Sequence, residues 1–189
     1  NKLKIDEPNL AKIQTKFKRN FDINSDFQLL NQSSIIFLAV DIVTDKKNNV
    51  IYERINKLLK KINKNINKKL PLIIMSQVEV GFTRKIQWPN NYKYHYVETL
   101  IFGDAINRAL FPERIIIGKH KNNTKVNINL LKFLKKFNCP ILEFSFEESE
   151  FTKAMINIYL ASQITTTNFL NSTIKNFKTV SWQKIRTAI

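Results

Sequence analysis

Two short segments carry side chains that could take part in acid–base or electrostatic chemistry. Glu98 follows a tyrosine-rich segment that reads as a strand, and α/β sheets build their sites just past strand ends. A carboxylate at such a place can exchange a proton. Lys153 and Asn157 lie four residues apart in a helical pattern, so they point the same way, and a lysine ammonium can stabilise negative charge developing on an oxygen. The ordinary alternatives are a solvated loop glutamate and an exposed helical face.

The pair belongs to a constellation with Glu150, on a helix that we predict from Glu148 to about Phe177. This stretch has neither Gly nor Pro, and at about 30 residues it exceeds the usual length of a globular helix. The positions around the pair are mostly apolar or small, which predicts a largely buried helix. They are Phe151, Ala154, Met155, Ile158, Leu160 and Ala161.

Two further segments follow predicted strands. Ser76–Thr83 comes after the apolar run Pro71–Met75, and Ala39–Asp45 continues from the apolar run Ile35–Val40. In the first of them the amide of Gln77 could donate a hydrogen bond. A plain turn, with Thr83 as the N-cap of a following helix, would account for the same residues.

Strand-length apolar runs alternate with helical patterns along the chain. The runs are 35–40, 71–75, 115–117 and 141–144, and the helical patterns between them are 51–66 and 128–137. Strands separated by helices predict a parallel α/β sheet, and right-handed crossovers make such a sheet doubly wound. Residues 87–94 are polar and read as irregular.

The three glycines do not form the turn that dinucleotide-binding domains ordinarily use. In that turn, Gly-x-Gly-x-x-Gly places a pyrophosphate on a helix N-terminus. Gly81, Gly103 and Gly118 are too far apart in the sequence to do so. We therefore predict an incomplete Rossmann-like, doubly wound parallel sheet that lacks its first strand–helix unit and is followed by the long helix.

Composition excludes several other classes. A chain of 189 residues with 43% hydrophobic and 24% charged residues fits a globular protein. Its longest apolar run is far too short to span a membrane. The single cysteine, Cys139, allows no intrachain disulfide, precedes Pro140 and a buried strand, and is predicted to be a structural thiol. His95 and His120 lack the spacing of metal ligands, so no metal is predicted.

The net charge of +16 raises the question of a nucleic-acid partner. The lysines are spread among many Asn and Ile residues and accompany no nucleic-acid motif, which favours a solvated basic surface. Such a surface also suits substrates that carry diphosphates. A basic nucleic-acid-binding protein remains the alternative, and steeply salt-dependent DNA binding would support it.

Several motifs resemble the UDP-glucose/GDP-mannose dehydrogenase family. The run Tyr96–Gly118, YVETLIFGDAINRALFPERIIIG, is similar to that family's Pro-Glu-x-Leu turn and Arg-Ile-x-Ile-Gly strand, with Val97 in place of the proline. Residues 76–83 and 39–45 are similar to its Ser-Thr-Val-Pro-Val-Gly-Thr-Thr and Ala-Val-Pro-Thr-Pro-Thr segments. The spacing Glu-x-x-Lys-x-x-x-Asn at 150–157 resembles the helix that leads out of its Rossmann domain. The resemblance is continuous from about residue 7 to about residue 188.

The resemblance implies an NAD-dependent nucleotide-sugar 6-dehydrogenase, which oxidises the primary alcohol of a UDP- or GDP-sugar to the uronic acid in two hydride transfers. Glu98 would help to deprotonate a water or alcohol or would hold a hydrolytic water. Lys153 and Asn157 would hold a developing oxyanion and an ordered water. Leu100 would contact the substrate together with these three, and Val40 and Gln77 would line NAD.

The resemblance also implies the setting of the protein. Residues 1–147 would form part of the NAD-binding domain, and residues 148–189 the start of a central helical domain that dimerises through the long helix. A cytoplasmic enzyme of polysaccharide biosynthesis, without a membrane partner, is the corresponding expectation.

Departures from the family leave a second function open. Ile42, Gln77 and Phe102 replace a threonine, a threonine and the residue that is often a second acid. They favour a degenerate, non-catalytic paralogue acting as a binding or structural module, whereas retention of Glu98, Lys153 and Asn157 opposes it. Cys139 does not lie in the position of the family's catalytic cysteine. We therefore expect these 189 residues alone to be inactive.

Overall fold

The computed structural model describes residues 7–121 and 124–188. Within these residues, seven strands and seven helices follow one another, with short 3-10 turns at Lys18–Asn20, Phe27–Gln32, Asn90–Tyr92 and Lys135–Phe137. The strands are β1 Ile36–Leu38, β2 Val43–Thr44, β3 Val50–Ile51, β4 Leu72–Ile74, β5 Lys93–Tyr96, β6 Ile115–Lys119 and β7 Ile141–Ser145. The helices are α1 Leu10–Lys16, α2 Glu53–Asn65, α3 Phe82–Lys85, α4 Ala105–Leu110, α5 Ile128–Leu134, α6 Phe146–Ile174 and α7 Trp182–Ile185.

Five strands form the main sheet in the order β1-β4-β5-β6-β7, and β2 and β3 form a separate hairpin. The α/β, Rossmann-like prediction is confirmed, with one correction to the strand directions. β1, β4 and β5 are parallel to one another, as are β6 and β7, but β5 and β6 are antiparallel. The connection from β5 to β6 contains only the six-residue helix α4, and it does not carry the chain back across the sheet. An all-parallel sheet would need that crossover.

Apolar side chains form two cores, one around α2 and one around α5. Ile55 and Ile62 of α2 pack with residues of β1 and β4, while Leu130 and Leu134 of α5 pack with residues of β6. The lysines and the arginine on the other side of α2 are exposed, as the helical pattern predicted. Cys139 is partly buried against the second core.

Strand β5 was predicted only in part, because the tyrosine-rich segment before Glu98 reads as a strand but residues 93 and 94 were placed in the irregular stretch 87–94. Its residues Lys93 and His95 look like loop residues, yet both are 1% exposed. Burying such groups is tolerable only when they have hydrogen-bond partners. The partners lie outside the strand, at residues 84, 86 and 149. Because polar residues occupy buried positions, the segment does not show the alternating or continuous apolar pattern of a strand.

Helix α6 begins with a capping box formed by Ser145 and Glu148. The Glu148 carboxylate accepts from Ser145 N at 2.7 Å, and Ser145 Oγ accepts from Glu148 N at 3.2 Å. This reciprocal pair satisfies two backbone donors at the helix start. The helix therefore begins two residues earlier than predicted, and the Ser-x-x-Glu spacing was the available signal.

The first turns of α6 lie unusually close to strand β6. A side-chain carbon placed on Gly118 would lie 2.0 Å from Ser149 Oγ and 2.9 Å from Ser149 Cβ. Ser149 Oγ also lies 2.9 Å from His95 Nδ1 and donates to Phe146 O at 2.8 Å. Gly118 thus lets the helix approach the sheet closely enough for this buried contact to form.

The chain divides into two compact units, one ending at Phe151 and one beginning at Thr152. In the second unit, the prediction of a largely buried helix is wrong, because no described residue after Glu150 is buried. Apolar side chains lie all round this part of α6, and the four-residue helix α7 is too small to cover them. The most exposed include Ile158, Tyr159, Leu160, Ile164 and Phe169. Over residues 7–121 and 124–188, no helix has the length and hydropathy needed to cross a bilayer.

We expect Gly118→Ala to lower the free energy of unfolding by at least about 2 kcal/mol, because the added methyl group would overlap the Ser149 side chain. Urea denaturation of the 189-residue chain measures this. Ser149→Gly provides the matched background, since it removes both atoms nearest to the new methyl group. Gly118→Ala should cost clearly less in that background, and equal costs in the two backgrounds would contradict the steric explanation.

Candidate cofactor and active site

The parallel strands β1, β4 and β5 all end at one edge of the sheet, and the structure brings the segments after β1 and β4 together there. Val40 N donates to Ser76 Oγ at 3.1 Å, and both residues are buried. Gln77, the next residue, is exposed. Val40 and Gln77 therefore belong to one short stretch of this edge, where Gln77 is accessible to a ligand.

Glu98 lies just beyond the same edge, at the end of β5. The ladder continues through Val97, whose N–H donates to Ile116 O at 3.0 Å. The partly buried Glu98 then accepts from Leu100 N through its carboxylate, which closes a tight turn. This turn follows the strand as predicted, and Leu100 at its other side is 45% exposed.

A second glutamate holds the far end of that turn. Gly103 has a φ of 85°, and the Glu7 carboxylate accepts from Gly103 N at 3.0 Å and from Ala105 N at 2.7 Å. Asp104, the N-cap of α4, makes no side-chain cap bond, so Glu7 supplies the acceptor that the helix start lacks. Sequence reasoning missed this contact, because nothing local links residue 7 to residue 103.

Lys153 and Asn157 lie on the continuous helix α6, as predicted, and share one side of it. Lys153 is partly buried and Asn157 is exposed. Both belong to the unit that begins at Thr152, whereas Glu98 and the strand-end residues belong to the unit that ends at Phe151.

Glu150 is a buried carboxylate that binds the loop after β4. It is 1% exposed, and its two oxygens accept from Gly81 N at 2.5 Å and from Thr83 N at 2.7 Å. Burial raises the pKa of Glu150, and the hydrogen bonds from Thr83 and Gly81 act in the opposite direction. The N-cap of α3 is Gly81, with a φ of 88°, so the prediction of Thr83 as N-cap is wrong.

Lys93 is a buried cation next to this loop. Its ammonium donates to Arg84 O at 3.0 Å and to Ile86 O at 2.8 Å. Burial, assisted by the charge of Arg84, lowers the pKa of Lys93 to about 8, although the charge of Glu150 opposes the shift. The ammonium therefore fixes the chain that follows α3 by binding two carbonyl groups.

Arg84 joins α3 to the start of α6 from the outside. Its guanidinium donates to both oxygens of Glu147 and, at 3.0 Å, contacts His120 Nδ1. Because arginine can only donate, Nδ1 is the acceptor in this contact. Desolvation and then the charge of Arg84 lower the pKa of His120. Both effects disfavour the charged form of the histidine beside this cation.

A groove of about 500 Å³ borders the other side of the loop, between α2 and residues 79–88. Its walls combine aromatic, amide and lysine side chains, including Tyr52, Asn63, Lys60, Phe82, Lys85 and Trp88. Tyr52 also accepts from Glu79 N through its hydroxyl at 2.9 Å and stacks on Phe82 with ring centroids 4.8 Å apart. The position of the loop therefore sets the shape of this groove.

The described residues fit one part of a dinucleotide. At the strand-end edge Gln77 is exposed beside the buried Val40 and Ser76, so its side chain is accessible to a ligand. The amides of the two positive-φ glycine turns, at Gly81 and Gly103, already bind the carboxylates of Glu150 and Glu7. Neither turn offers its N–H groups to a pyrophosphate in the way that a phosphate-binding turn does.

Comparison with known proteins yields a family match. Residues 1–138 match the model of the NAD binding domain of the UDP-glucose/GDP-mannose dehydrogenase family. A UDP-glucose 6-dehydrogenase of Campylobacter jejuni is 36% identical over 113 residues, covering 58% of this chain and 28% of that protein. An uncharacterised protein of Methanocaldococcus jannaschii is 28% identical over 181 residues, covering 87% of this chain and 20% of that protein. The chain thus spans less than a third of either relative.

Solved structures share the fold. GDP-mannose dehydrogenase from Pseudomonas aeruginosa, in a ternary complex, superimposes with a TM-score of 0.84 at 20% identity, over 99% of this chain and 46% of that one. A UDP-glucose dehydrogenase from Pyrobaculum islandicum gives a TM-score of 0.73 at 18% identity, over 88% and 42% of the respective chains.

We expect stability to rise with pH as Lys93 titrates. Its folded pKa of about 8 lies below the ordinary lysine value, so the unfolded state binds more protons at mildly alkaline pH. The free energy of unfolding should therefore increase between about pH 7.5 and about pH 9.5 by on the order of 1–3 kcal/mol.

Urea denaturation at several pH values measures this increase. Lys93→Met cannot be charged and Lys93→Arg stays charged throughout, so both variants should lack the increase. Parallel pH profiles for the parent and Lys93→Met would contradict the assignment.

Proposed function

The chain belongs to the UDP-glucose/GDP-mannose dehydrogenase family, and we propose that it is part of an enzyme that oxidises the primary alcohol of a UDP- or GDP-sugar to the uronic acid in two hydride transfers. The observation that carries the proposal is the family match over residues 1–138 together with Glu98 at the end of β5. NAD, the cofactor of this domain family, accepts hydride when bound. The residues of the chain itself bind and orient the cofactor and the substrate, and they transfer protons.

Glu98 is the proposed proton acceptor of the site, for an alcohol or a hydrolytic water. Its support is positional, since the carboxylate follows a strand end and is oriented by the N–H of Leu100. A side chain held in this way keeps its acceptor oxygens near a fixed place, which general base catalysis requires. The exposed Leu100 is the proposed apolar contact to the substrate.

Lys153 and Asn157 are proposed to act on the developing oxyanion and on an ordered water. Their separation of one helical turn lets an ammonium and an amide address neighbouring atoms of one ligand. A positive charge beside an oxygen that becomes negative stabilises the transition state more than the ground state.

Val40 and Gln77 are the proposed cofactor contacts. The bond between Val40 N and Ser76 Oγ holds their two segments together, and Gln77 presents an amide where the family has a threonine. Ile42, which replaces another threonine, packs partly buried against the first core. An isoleucine cannot make the hydrogen bond of a threonine hydroxyl, which leaves polar contacts to the neighbouring positions.

A non-catalytic module of the same family is the second candidate. The observation that favours it is Phe102, which is 99% exposed where the family often carries a second acid. An exposed aromatic ring is more useful for contacting a partner than for acid–base chemistry. Retention of Glu98, Lys153 and Asn157 favours the enzyme.

The first test is NADH formation by the protein expressed from its complete reading frame, with UDP-glucose, GDP-mannose and their N-acetylated analogues as substrates. We expect two NADH for each sugar oxidised. Glu98→Gln should lower kcat by at least about a hundredfold, because it removes the proton acceptor but keeps the shape. Glu113→Gln is the control, since this glutamate lies in the same connection and its side chain is 77% exposed.

Two results would count against the proposal. Absence of NADH with every nucleotide sugar would leave the non-catalytic module as the better account. The 189 residues alone should form no NADH, because they contain no phosphate-binding glycine turn and no cysteine in the position that the family uses. NADH formation by this isolated chain would overturn that part.

We also propose that the second unit pairs with a second copy of the protein. The exposed apolar side chains around α6 are the support, because monomeric proteins rarely leave so many together in water. The complete protein should therefore behave as a dimer in light scattering. Ile164→Lys, at an exposed apolar position, should weaken the dimer, whereas Lys175→Glu at an exposed polar position should not. A monomeric parent would refute the pairing.

A further inference from the structure

The loop Ser76–Thr83 is held at three points, and they differ in kind. At its start, Ser76 Oγ accepts from Val40 N, and in its middle Glu79 N donates to the Tyr52 hydroxyl. At its end, Gly81 N and Thr83 N donate to the carboxylate of Glu150. Only the last point uses a charged group, and it uses both oxygens of that group.

The contact of Glu150 with Gly81 and Thr83 costs free energy, because it requires a carboxylate to be buried. Glu150 is almost completely buried, and burial raises its pKa because a carboxylate loses water there. The side chain nevertheless makes two short bonds to backbone donors, of which Thr83 is fully buried. Removing the acceptor would leave those donors without a partner in the protein interior. Such an arrangement is expected where the position of the bound segment matters.

The neighbouring acids do not duplicate this contact. Glu147 binds the Arg84 guanidinium on the surface, and Glu148 caps α6 through Ser145. Glu150 is therefore the acid on the first turns of α6 that reaches the amides of the loop. Its position is itself fixed, because Ser149 beside it lies against Gly118 and His95.

We propose that Glu150 is a positioning residue that fixes the loop Ser76–Thr83 and thereby the exposed amide of Gln77 at the cofactor edge. This inference rests on the proposed use of Gln77 in binding NAD. Glu150 touches neither cofactor nor substrate in this account. It acts through the backbone of the loop, so its loss should weaken cofactor binding while Glu98 remains in place.

The first experiment measures hydrogen exchange at the amides of residues 76–86 in the complete protein without NAD. Glu150→Gln keeps the size of the side chain but turns an amide group toward two N–H donors. We expect exchange at Gly81 and Thr83 to become at least about tenfold faster than in the parent. Glu148→Gln, two residues away on the same helix, should leave this loop unchanged. Unchanged exchange at both amides in Glu150→Gln would overturn the proposal.

The second experiment measures the Kd of NAD for the same proteins. Glu150→Gln should raise it by about tenfold, and Glu148→Gln should not. Glu150→Ala allows a chemical rescue, because formate can occupy the position of the missing carboxylate. A general loss of stability would not be reversed by formate. Millimolar formate should restore NAD affinity and slow exchange in Glu150→Ala, whereas formamide should do neither. If Glu150→Ala does not fold, the comparison of Glu150→Gln with the parent still decides.

The outcomes distinguish the positioning role of Glu150 from the proposed function of the protein. Faster exchange with unchanged NAD affinity would overturn the positioning role, since the loop would then move without consequence for the cofactor. A parent protein that does not bind NAD would overturn the proposed function, and unchanged exchange in Glu150→Gln would still overturn the clamp. Faster exchange, weaker NAD binding and rescue by formate together are the expected result.

Discussion

The first unit depends on the close contact between the start of α6 and the sheet. Gly118 has no side chain, so Ser149 can lie directly over β6 and reach His95 on β5. Because the helix lies this close, Glu150 is buried and accepts hydrogen bonds from the amides of Gly81 and Thr83. The strand, the helix start and the loop after β4 therefore form one packed assembly, and a larger residue at position 118 would separate all three.

The same arrangement occurs twice. In each case a glutamate from a distant part of the chain accepts from a glycine with positive φ and from the residue two positions later. Amides arranged in this way form a concave site for an anion. Here a carboxylate of the protein itself occupies the site. One turn comes a few residues after Gln77 in the chain and the other a few residues after Glu98, so an internal anion fixes the backbone close to each of these residues.

Much of the architecture could be predicted from the sequence, because continuous apolar runs such as Pro71–Met75 are typical of strands covered on both faces. The turn at Glu98 and the helical spacing of Lys153 and Asn157 were also readable locally. The start of strand β5 was not predicted, since Lys93 and His95 are compatible with burial only through partners at residues 84, 86 and 149. The contacts of Glu7 and Glu150 were equally hidden, because they join positions far apart in the chain.

The contact of Glu7 with Gly103 and Ala105 has a consequence for the order in which the chain is made. On the ribosome, the acceptor emerges long before its two donors. At the loop after β4 the order is reversed, because the donors emerge first and Glu150 follows much later. Neither set of carboxylate–amide hydrogen bonds can form until a distant segment has been synthesised, so both form late in folding. In a nascent chain that stalls before Glu150, the amides of Gly81 and Thr83 would lack the carboxylate that accepts from them in the folded protein.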